Sequence, residues 1–452
     1  MLHQEEHDFT KGTVKGNILQ LALPMMLAQL INIFYNIVDR MYIGRIPGAG
    51  SLALTGLGVV FPIISAVLAF ANLFGYGGPP LCSIARGKQD EKRAAAIMGN
   101  TFSMLVITGV VITAVGFLVK KPLLYTFGAS ANTYSYANEY LRVYLLGTVF
   151  VMISVGMNGF INSQGFARKG MLTVLIGAVL NIILDPIFIF VLHMGAGGAA
   201  LATVISQMVS ACWVLVFLRG KKTLLRLDAV SMKLDFSLMK QITAMGLSGF
   251  FMAFTNSAVQ VVCNVMLQLQ GGDVYVGVMA IIYSVREVLC VPLSGFTSGA
   301  QPVLGYNYGA KAYSRVKEGI RFLSLIGIVY TMVVWLITLI FPWFFIWIFN
   351  GGPDLMEAGV ICMRIYFFAF VFMSLQFAGQ STFTALGKAK HAIFFSLLRK
   401  VVIVIPLTIG LPYVANLGIY GVFLAEPVSN LLGGCACFFT MLFVTKKILK
   451  EE

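Results

Sequence analysis

The sequence predicts an all-α integral membrane protein with twelve transmembrane helices in two six-helix bundles, which an internal repeat relates by a pseudo-two-fold axis along the membrane normal. Of its 452 residues, 58% are hydrophobic and 11% are charged, whereas soluble domains carry about 25% charged residues. Apolar runs long enough to cross a bilayer, which takes about 20 residues, recur from one end of the chain to the other. So few charges could not cover a water-exposed surface, and the composition therefore excludes a water-soluble globular protein.

The apolar runs are interpreted as membrane-spanning helices. Only helices and closed barrels satisfy their backbone polar groups in lipid, and these runs lack the alternating hydrophobicity of barrel strands. The twelve predicted spans cover roughly residues 16–43, 52–76, 93–119, 134–161, 169–192, 196–219, 238–269, 276–298, 316–349, 355–383, 391–415 and 418–445.

The distribution of basic residues predicts topology and partners. The net charge of +14 could suggest a nucleic-acid-binding protein, but the lysines and arginines lie mainly in short loops between apolar spans. Nearly all of them fall on one side, and the exceptions are Arg45, Lys120 and Lys121. This asymmetry marks the cytoplasmic side. We expect both termini in the cytoplasm, an inner (plasma) membrane location, no nucleic-acid partner, and a chain that functions as a monomer in the bilayer.

The two halves of the chain repeat each other at an offset of 222 residues. Gly77 and Pro80 align with Gly299 and Pro302, and Leu141-Arg142-Val143-Tyr144 aligns with Met363-Arg364-Ile365-Tyr366. We therefore expect an N-terminal bundle at 1–220, a basic cytoplasmic linker at 221–240 and a C-terminal bundle at 241–452. Transporters with parallel repeats of this kind bind substrate between the halves and alternate access. An integral-membrane enzyme remains the alternative from another class.

Two carboxylates inside the membrane distinguish the N-terminal half from the C-terminal half. At the repeat offset, Asp39 aligns with Val261, and Asp185 aligns with Leu407. A charged group at the bilayer centre costs about 2.5–3.5 kcal/mol on the insertion scale and marks function by default. Packing needs common to both halves would not produce this difference, whereas a site peculiar to one half would.

Polar groups at the same depth complete a candidate ion-coupling cluster around these acids. The helical rise places Asn181, Thr203 and Tyr140 near the level of Asp39 and Asp185. Carboxylate, amide and hydroxyl oxygens suit a small hard cation such as Na⁺, while two close carboxylates equally suit a proton carrier. Both ions remain open, as does the alternative that the acids only cap helix ends at the interface.

Three segments resemble a known transporter family. Leu23-Pro24 through Asn36-Ile37-Val38-Asp39 to Gly44, the segment 181–188, and the segment 195–203 are similar to the first, fifth and sixth helices of multidrug and toxic compound extrusion (MATE) transporters, in the DinF-like and MepA-like manner. The resemblance implies multidrug efflux by antiport, driven by Na⁺ or H⁺ at this cluster, without another cofactor or an enzymatic reaction. The sequence departs from the branch that carries an acid early in the seventh helix, because 250–253 reads Phe-Phe-Met-Ala.

Further polar residues in the spans predict a substrate cavity. Glu287 and Glu426 could act as counter-charges for a cationic, lipophilic, drug-like compound, and we expect the cavity to be acidic. Alternatively, Glu287 forms a structural ion pair with Arg286 or another arginine. The remaining candidate lining residues are Gln29, Asn32, Tyr35 and Tyr283. The rival transport function is a flippase for a lipid-linked substrate, whose anionic headgroup would need a basic cavity.

Overall fold

The computed structural model describes residues 8–47, 50–348, 353–414 and 417–450. Its first half consists of six long helices joined by short turns, as expected where lipid leaves backbone polar groups no partners except one another. These helices are α1 (Val14–Gly44), α2 (Gly50–Gly87), α3 (Glu91–Thr126), α4 (Tyr134–Ser163), α5 (Ala167–Pro186) and α6 (Gly195–Arg219). A π-helical turn, Ile187–Val191, continues α5.

The second half contains more interrupted helices. It comprises α7 (Phe236–Gly271), α8 (Asp273–Gly309), α9 (Tyr313–Ile340), α10 (Pro342–Ile348), α11 (Pro353–Phe367), α12 (Met373–Ala385), α13 (Ala389–Leu397), α14 (Ile405–Gly410) and α15 (Ile419–Ile448). The π-helical segment Leu398–Val404 joins α13 to α14, and 3₁₀ turns at Phe370–Phe372 and Leu411–Tyr413 precede α12 and follow α14.

The number of spans agrees with the sequence. Within the described ranges, eleven helices are long and apolar enough to cross a membrane, and a pair bent by 44°, Leu355–Phe367 and Phe370–Ala385, makes a twelfth. The predicted ninth span, 316–349, was too long. Its helix ends at Ile340, and Pro342 begins the separate helix α10, because proline suits the first turn of a helix and cannot donate an interior hydrogen bond. Residues 349 and 415, at the predicted ends of two spans, lie outside the described residues.

The repeat is visible in the turns that separate the helices. Gly165 and Gly387, at equivalent repeat positions, both have positive φ, at 95° and 71°. Gly195 and Gly418, equivalent after a one-residue insertion, have φ of 55° and 50°. Glycine adopts this left-handed region at no steric cost, which accounts for glycine in both halves.

The chain divides into two compact units, and the first contains Leu23–Gly246. Here α2 and α4 approach closely where Gly75 faces Gly156, and a side chain at Gly77 would overlap the backbone of Ile242 in α7. This unit includes the stretch predicted as a linker, which is docked on α3 and α4. Asn100 Nδ2 donates to the Lys233 carbonyl at 3.0 Å.

Hydrogen bonds fix the rest of this docked stretch. The buried side-chain oxygen of Gln164 accepts hydrogen bonds from Thr223 Oγ1 and from the backbone N–H groups of Leu224 and Leu225, at 2.8–3.0 Å. Further along, the N–H and hydroxyl of Ser231 close a turn on Asp228. The hydrogen bond from the Ser231 backbone holds the pKa of Asp228 below its ordinary value. The domain boundaries at 220 and 240 remain a prediction. The segment between them is held against the first bundle by these hydrogen bonds.

The second unit contains Leu247 onward together with Gly12–Ala22 from the start of α1. Gly299 of α8 lies against the backbone of Ala22, where a side chain would overlap it. Arg315 Nη1 donates to the Gly12 carbonyl at 3.0 Å, and Lys15 stacks over the Phe322 ring. Gly299 is the repeat equivalent of Gly77, so each glycine serves the same purpose in its own unit, a close approach of two helix backbones.

Candidate functional site

Helix α5 presents two polar side chains one turn apart in the first unit. Asn181 and Asp185 are 2% and 0% exposed, and residues four apart share one face of a helix. Asn181 Nδ2 donates a hydrogen bond to Asp185 Oδ1 at 3.2 Å. Pro186 ends α5, where the backbone passes into the π-helical turn. The chain therefore holds an amide and a carboxyl group together at the end of an apolar helix.

Helices α6 and α4 contribute hydroxyl groups to the same place. Asn181 Nδ2 also lies 3.4 Å from Thr203 Oγ1. Tyr140, which is buried in α4, is within hydrogen-bonding reach of Thr203. Gly147 permits the close approach of α4 to α6, because a side chain at this position would overlap Val204 of α6.

Asp39 of α1 completes the cluster. The carboxyl groups of Asp39 and Asp185 are close enough to hydrogen bond to each other, and such a bond requires a proton on one of them, since ionised carboxylates only accept. Within this cluster, three buried oxygen atoms have no hydrogen-bond partner: Asp39 Oδ1, Asn181 Oδ1 and Asp185 Oδ2. Hard oxygen donors of this kind suit Na⁺ or a proton. The structure thus brings together all five residues predicted as an ion-coupling cluster.

Three of the residues predicted to line the substrate cavity lie on α1, the helix that carries Asp39. Tyr35 is half-buried and within electrostatic reach of both carboxyl groups. Asn32 is exposed and accepts a hydrogen bond from Asn36 Nδ2 at 3.2 Å. Gln29 is half-buried one turn earlier. Tyr35 is therefore the one of these three placed beside the acids.

The second unit contains a different buried charge cluster, centred on Glu426. Its Oε1 lies 2.7 Å from Arg399 Nη2, 3.1 Å from Lys400 Nζ and 3.5 Å from Arg286 Nη2. Glu287, next to Arg286, is exposed. The ion pair that was one alternative for Glu287 is thus made by Glu426. Tyr283 lies nearby and packs edge-on against the Tyr366 ring at 6.4 Å.

Two expectations about this region need correction. Glu426 was expected to be a free counter-charge for a cationic substrate, but its carboxylate is already paired with three cations. The expectation of an acidic cavity also does not describe this unit, whose buried cluster is positive. Sequence reasoning missed Arg399 and Lys400, although two adjacent basic residues inside the predicted span 391–415 were a visible signal, because buried membrane charges mark function.

Comparison with known proteins identifies the family. The MatE family model matches residues 24–187 and 249–409, which is more than half of the chain. The chain belongs to the MatE family.

Curated relatives of this MatE protein span nearly its whole length. The Multidrug export protein MepA of Staphylococcus haemolyticus is 23% identical over 438 residues, covering 96% of this chain and 94% of that protein. MepA of Staphylococcus aureus strain MSSA476 is 22% identical over 405 residues, covering 89% of each chain.

Solved structures share the fold. The outward-facing conformation of a multidrug resistance MATE family transporter superposes with a TM-score of 0.91 at 22% identity, covering 98% of this chain and 99% of that one. A MOP superfamily transporter from Pyrococcus furiosus gives a TM-score of 0.90 at 22% identity, covering 98% of each. The predicted all-α membrane fold is confirmed. The chain is a multi-pass membrane transporter, and the interpretation as a membrane enzyme is set aside.

Proposed function

We propose that this MatE protein exports lipophilic, drug-like compounds in exchange for Na⁺ or H⁺, and that the ion binds at Asp39, Asn181, Asp185 and Thr203 with Tyr140 alongside. The observation that carries the proposal is the meeting of two carboxyl groups with an amide and a hydroxyl in the first unit, where three buried oxygens have no hydrogen-bond partner. The relatives named as multidrug export proteins support the transport of drugs.

The chemistry of the cluster explains how an ion would be coupled to transport. When both carboxyl groups are ionised they repel each other, and burial strengthens the repulsion. A proton or a sodium ion relieves it, so the cluster has a high-energy empty state and a low-energy occupied state. Any movement of α1 relative to α5 would change the energy of both states, because Asp39 lies on α1 and Asp185 on α5. Ion binding and helix position are therefore linked.

Cationic compounds are the substrate class that we propose for export. Glu287 is an exposed carboxylate in the interior of α8, and it is the candidate counter-charge once Glu426 is engaged by its three cations. We further propose that both termini are cytoplasmic, that the protein resides in the inner membrane and that one chain suffices for transport. The even number of spans and the one-sided distribution of basic loops support this topology.

Transport in liposomes tests the proposal. Purified protein is reconstituted, a fluorescent cationic dye is supplied, and sodium and proton gradients are imposed separately. We expect at least one of the two gradients to drive dye export. Export at a rate that is independent of both gradients would overturn the proposed ion coupling. The alternative of a lipid-linked flippase is favoured by the positive cluster around Glu426. It is tested in the same liposomes by the accessibility of a fluorescent anionic lipid to a membrane-impermeant quencher.

A further inference from the structure

We propose that Arg286, Arg399 and Lys400 of the second unit, hereafter the basic cluster, form a binding site for the anionic group, a carboxylate or phosphate, of a lipophilic compound. The binding site stands on the geometry of this unit alone. Its assignment to a transported substrate rests on the proposed export function. A site of this kind extends the substrate range from cations to lipophilic anions and zwitterions.

The basic cluster has an excess of positive charge. Three cationic side chains surround the single carboxylate of Glu426, which leaves an excess of two. If Lys400 gave up its proton, two guanidinium groups would still face one carboxylate, because arginine stays protonated in proteins. A buried charge without a partner costs several kcal/mol, so the cluster favours a further negative group.

Within the part of the chain that the structure describes, Glu426 is the carboxylate that pairs with these three cations. Among the other carboxylates of the second unit whose side chains the structure describes, Asp273, Glu287, Glu318 and Glu357 are all exposed. The cluster is also peculiar to this half of the chain. The repeat equivalents of Arg286, Arg399 and Lys400 in the first half are Ile64, Gly177 and Ala178. Packing common to the two bundles therefore does not require these charges.

Several donors of the cluster are available to a ligand. Arg286 Nε and Arg399 Nε are buried and have no hydrogen-bond partner, and the same holds for the hydroxyl oxygen of Tyr366. Arg399 is 5% exposed and Tyr366 is 3% exposed. Guanidinium N–H and hydroxyl groups are the donors that bind carboxylates and phosphates most strongly.

The surroundings favour a ligand with an apolar body. Val285 and Phe367 are the chain neighbours of Arg286 and Tyr366, and both belong to the buried apolar core of this unit. The Arg286 side chain is 20% exposed, whereas the side chains of Arg399, Lys400 and Glu426 are each 6% exposed. An incoming anion would therefore meet Arg286 first and then the two deeper cations.

A π-helical segment places the two deeper cations on one carboxylate. Arg399 and Lys400 are consecutive residues of Leu398–Val404, and both contact Glu426 Oε1. In a regular α-helix, neighbouring residues point about 100° apart. Single π turns inside helices are frequent at functional sites, which agrees with a binding role for this segment.

Equilibrium binding tests the proposal on full-length protein in nanodiscs of phosphatidylcholine. The probe is 1-naphthylacetate, a lipophilic carboxylate, and its uncharged amide, 1-naphthylacetamide, is the matched control compound. We expect the acid to bind at least about tenfold more tightly than the amide. Equal binding of both compounds, or of neither, would overturn the anion site. No ion gradient is imposed, so this result is independent of whether export is ion-coupled.

Substitutions of opposite effect separate a binding site from a structural ion cluster. Arg286→Gln should weaken naphthylacetate binding about tenfold, and Glu426→Gln, which removes the competing carboxylate, should strengthen it by a similar factor. Glu318→Gln, an exposed carboxylate of α9 in the same unit, is the matched control and should change nothing. If Glu426→Gln does not fold, the single variants Arg286→Gln and Arg399→Lys provide the test through their weakened naphthylacetate binding. Unchanged affinity in Arg286→Gln would reject the site.

Lipid composition then identifies the source of the anion. Discs that contain phosphatidylglycerol should weaken naphthylacetate binding to the wild type more than to Arg286→Gln if a lipid phosphate occupies the cluster. An equal effect on both proteins indicates that the site takes soluble anions instead. Both results support an anion site, and they differ in whether its ligand is a lipid phosphate or a soluble anion.

Discussion

Thr203 of α6 and Glu426 of α15 occupy equivalent positions of the internal repeat but lie in clusters of opposite charge. Thr203 lies beside Asn181 in a cluster with two carboxyl groups, whereas Glu426 is the single carboxylate among three cations. Because these positions are equivalent, the two units are one scaffold with two different polar interiors. The functional differences between the halves should therefore follow largely from the side chains at equivalent positions.

Replacement of either acid of the first unit should abolish coupled export. Asp39→Asn and Asp185→Asn keep the size of the side chain but remove the charge that a proton or sodium ion neutralises. Export should fall to the level of protein-free liposomes while the protein stays folded and inserted. Glu139→Gln, an exposed carboxylate of α4 in the same unit, is the matched control and should export normally. Wild-type, gradient-dependent export by either Asn variant would reject the coupling site.

Glu287 and Glu426 of the second unit should respond differently to loss of charge. Glu287→Gln should weaken export of cationic compounds more than of neutral ones, because Glu287 is exposed and can face a substrate. The measurement compares initial export rates for a cationic and a neutral dye. Equal loss for both dyes would indicate a structural role.

Glu426→Gln should instead reduce stability. Removing one partner of a buried ion pair costs about 3–5 kcal/mol, because three cations then lack their carboxylate. Thermal unfolding in detergent, followed by size-exclusion chromatography, should show a lower midpoint, and a bound carboxylate such as naphthylacetate should restore part of it. Glu287→Gln should leave the midpoint nearly unchanged. Equal midpoints for the two variants would contradict the buried cluster around Glu426.

The ion-coupling cluster of the first unit could be predicted from sequence because helix geometry relates its members. Asn181 and Asp185 are four apart and must share a face, and the ends of the predicted spans set the depths of Asp39 and Thr203. The repeat register identified both acids as peculiar to one half. Simple one-dimensional spacing was sufficient for these relationships.

The basic cluster depended on information that the sequence did not provide. Lys400 and Glu426 are on different helices, and the π-helical segment that aims Arg399 and Lys400 has no reliable sequence signal. The continuation of α2 to Gly87 was also missed, since Gly78-Pro79-Pro80 suggests a helix end. In the fold, Pro79 packs against Gly159 of α4, so tertiary packing outweighs the local preference.

Docking of the segment 221–240 on the first bundle should depend on a glycine. A side chain at Gly99 of α3 would overlap the backbone of Ser231, and overpacking of this kind costs about 1–3 kcal/mol. Gly99→Ala should therefore speed tryptic cleavage after Arg226 and Lys233, which are both exposed. Gly58→Ala in α2 is the matched control, because a side chain there meets nothing within 4 Å. Unchanged cleavage in Gly99→Ala would show that the segment is not held at this contact.

The last prediction concerns the identity of the coupling ion. If sodium binds directly, Asn181 and Thr203 supply neutral oxygens, and Asn181→Ala or Thr203→Ala should weaken sodium affinity about tenfold, which corresponds to about 1.4 kcal/mol. If only a proton is carried, these groups hydrogen bond to a protonated acid, and their loss should shift the pH dependence of export instead. The unpartnered Asn181 Oδ1 favours the sodium version slightly, because a proton needs no amide ligand.

Calorimetry across a range of pH distinguishes the two ions. Sodium is titrated into the wild type, both alanine variants and Thr173→Ala, a matched control on α5 whose hydroxyl bonds to the Lys169 carbonyl of its own helix. We expect sodium binding to the wild type and to Thr173→Ala, and weaker binding to the other two variants. Because a bound proton occupies the carboxylates that sodium needs, binding should also weaken as the pH falls. Heat of sodium binding that is undetectable in the wild type at every pH would reject sodium and leave the proton as the coupling ion.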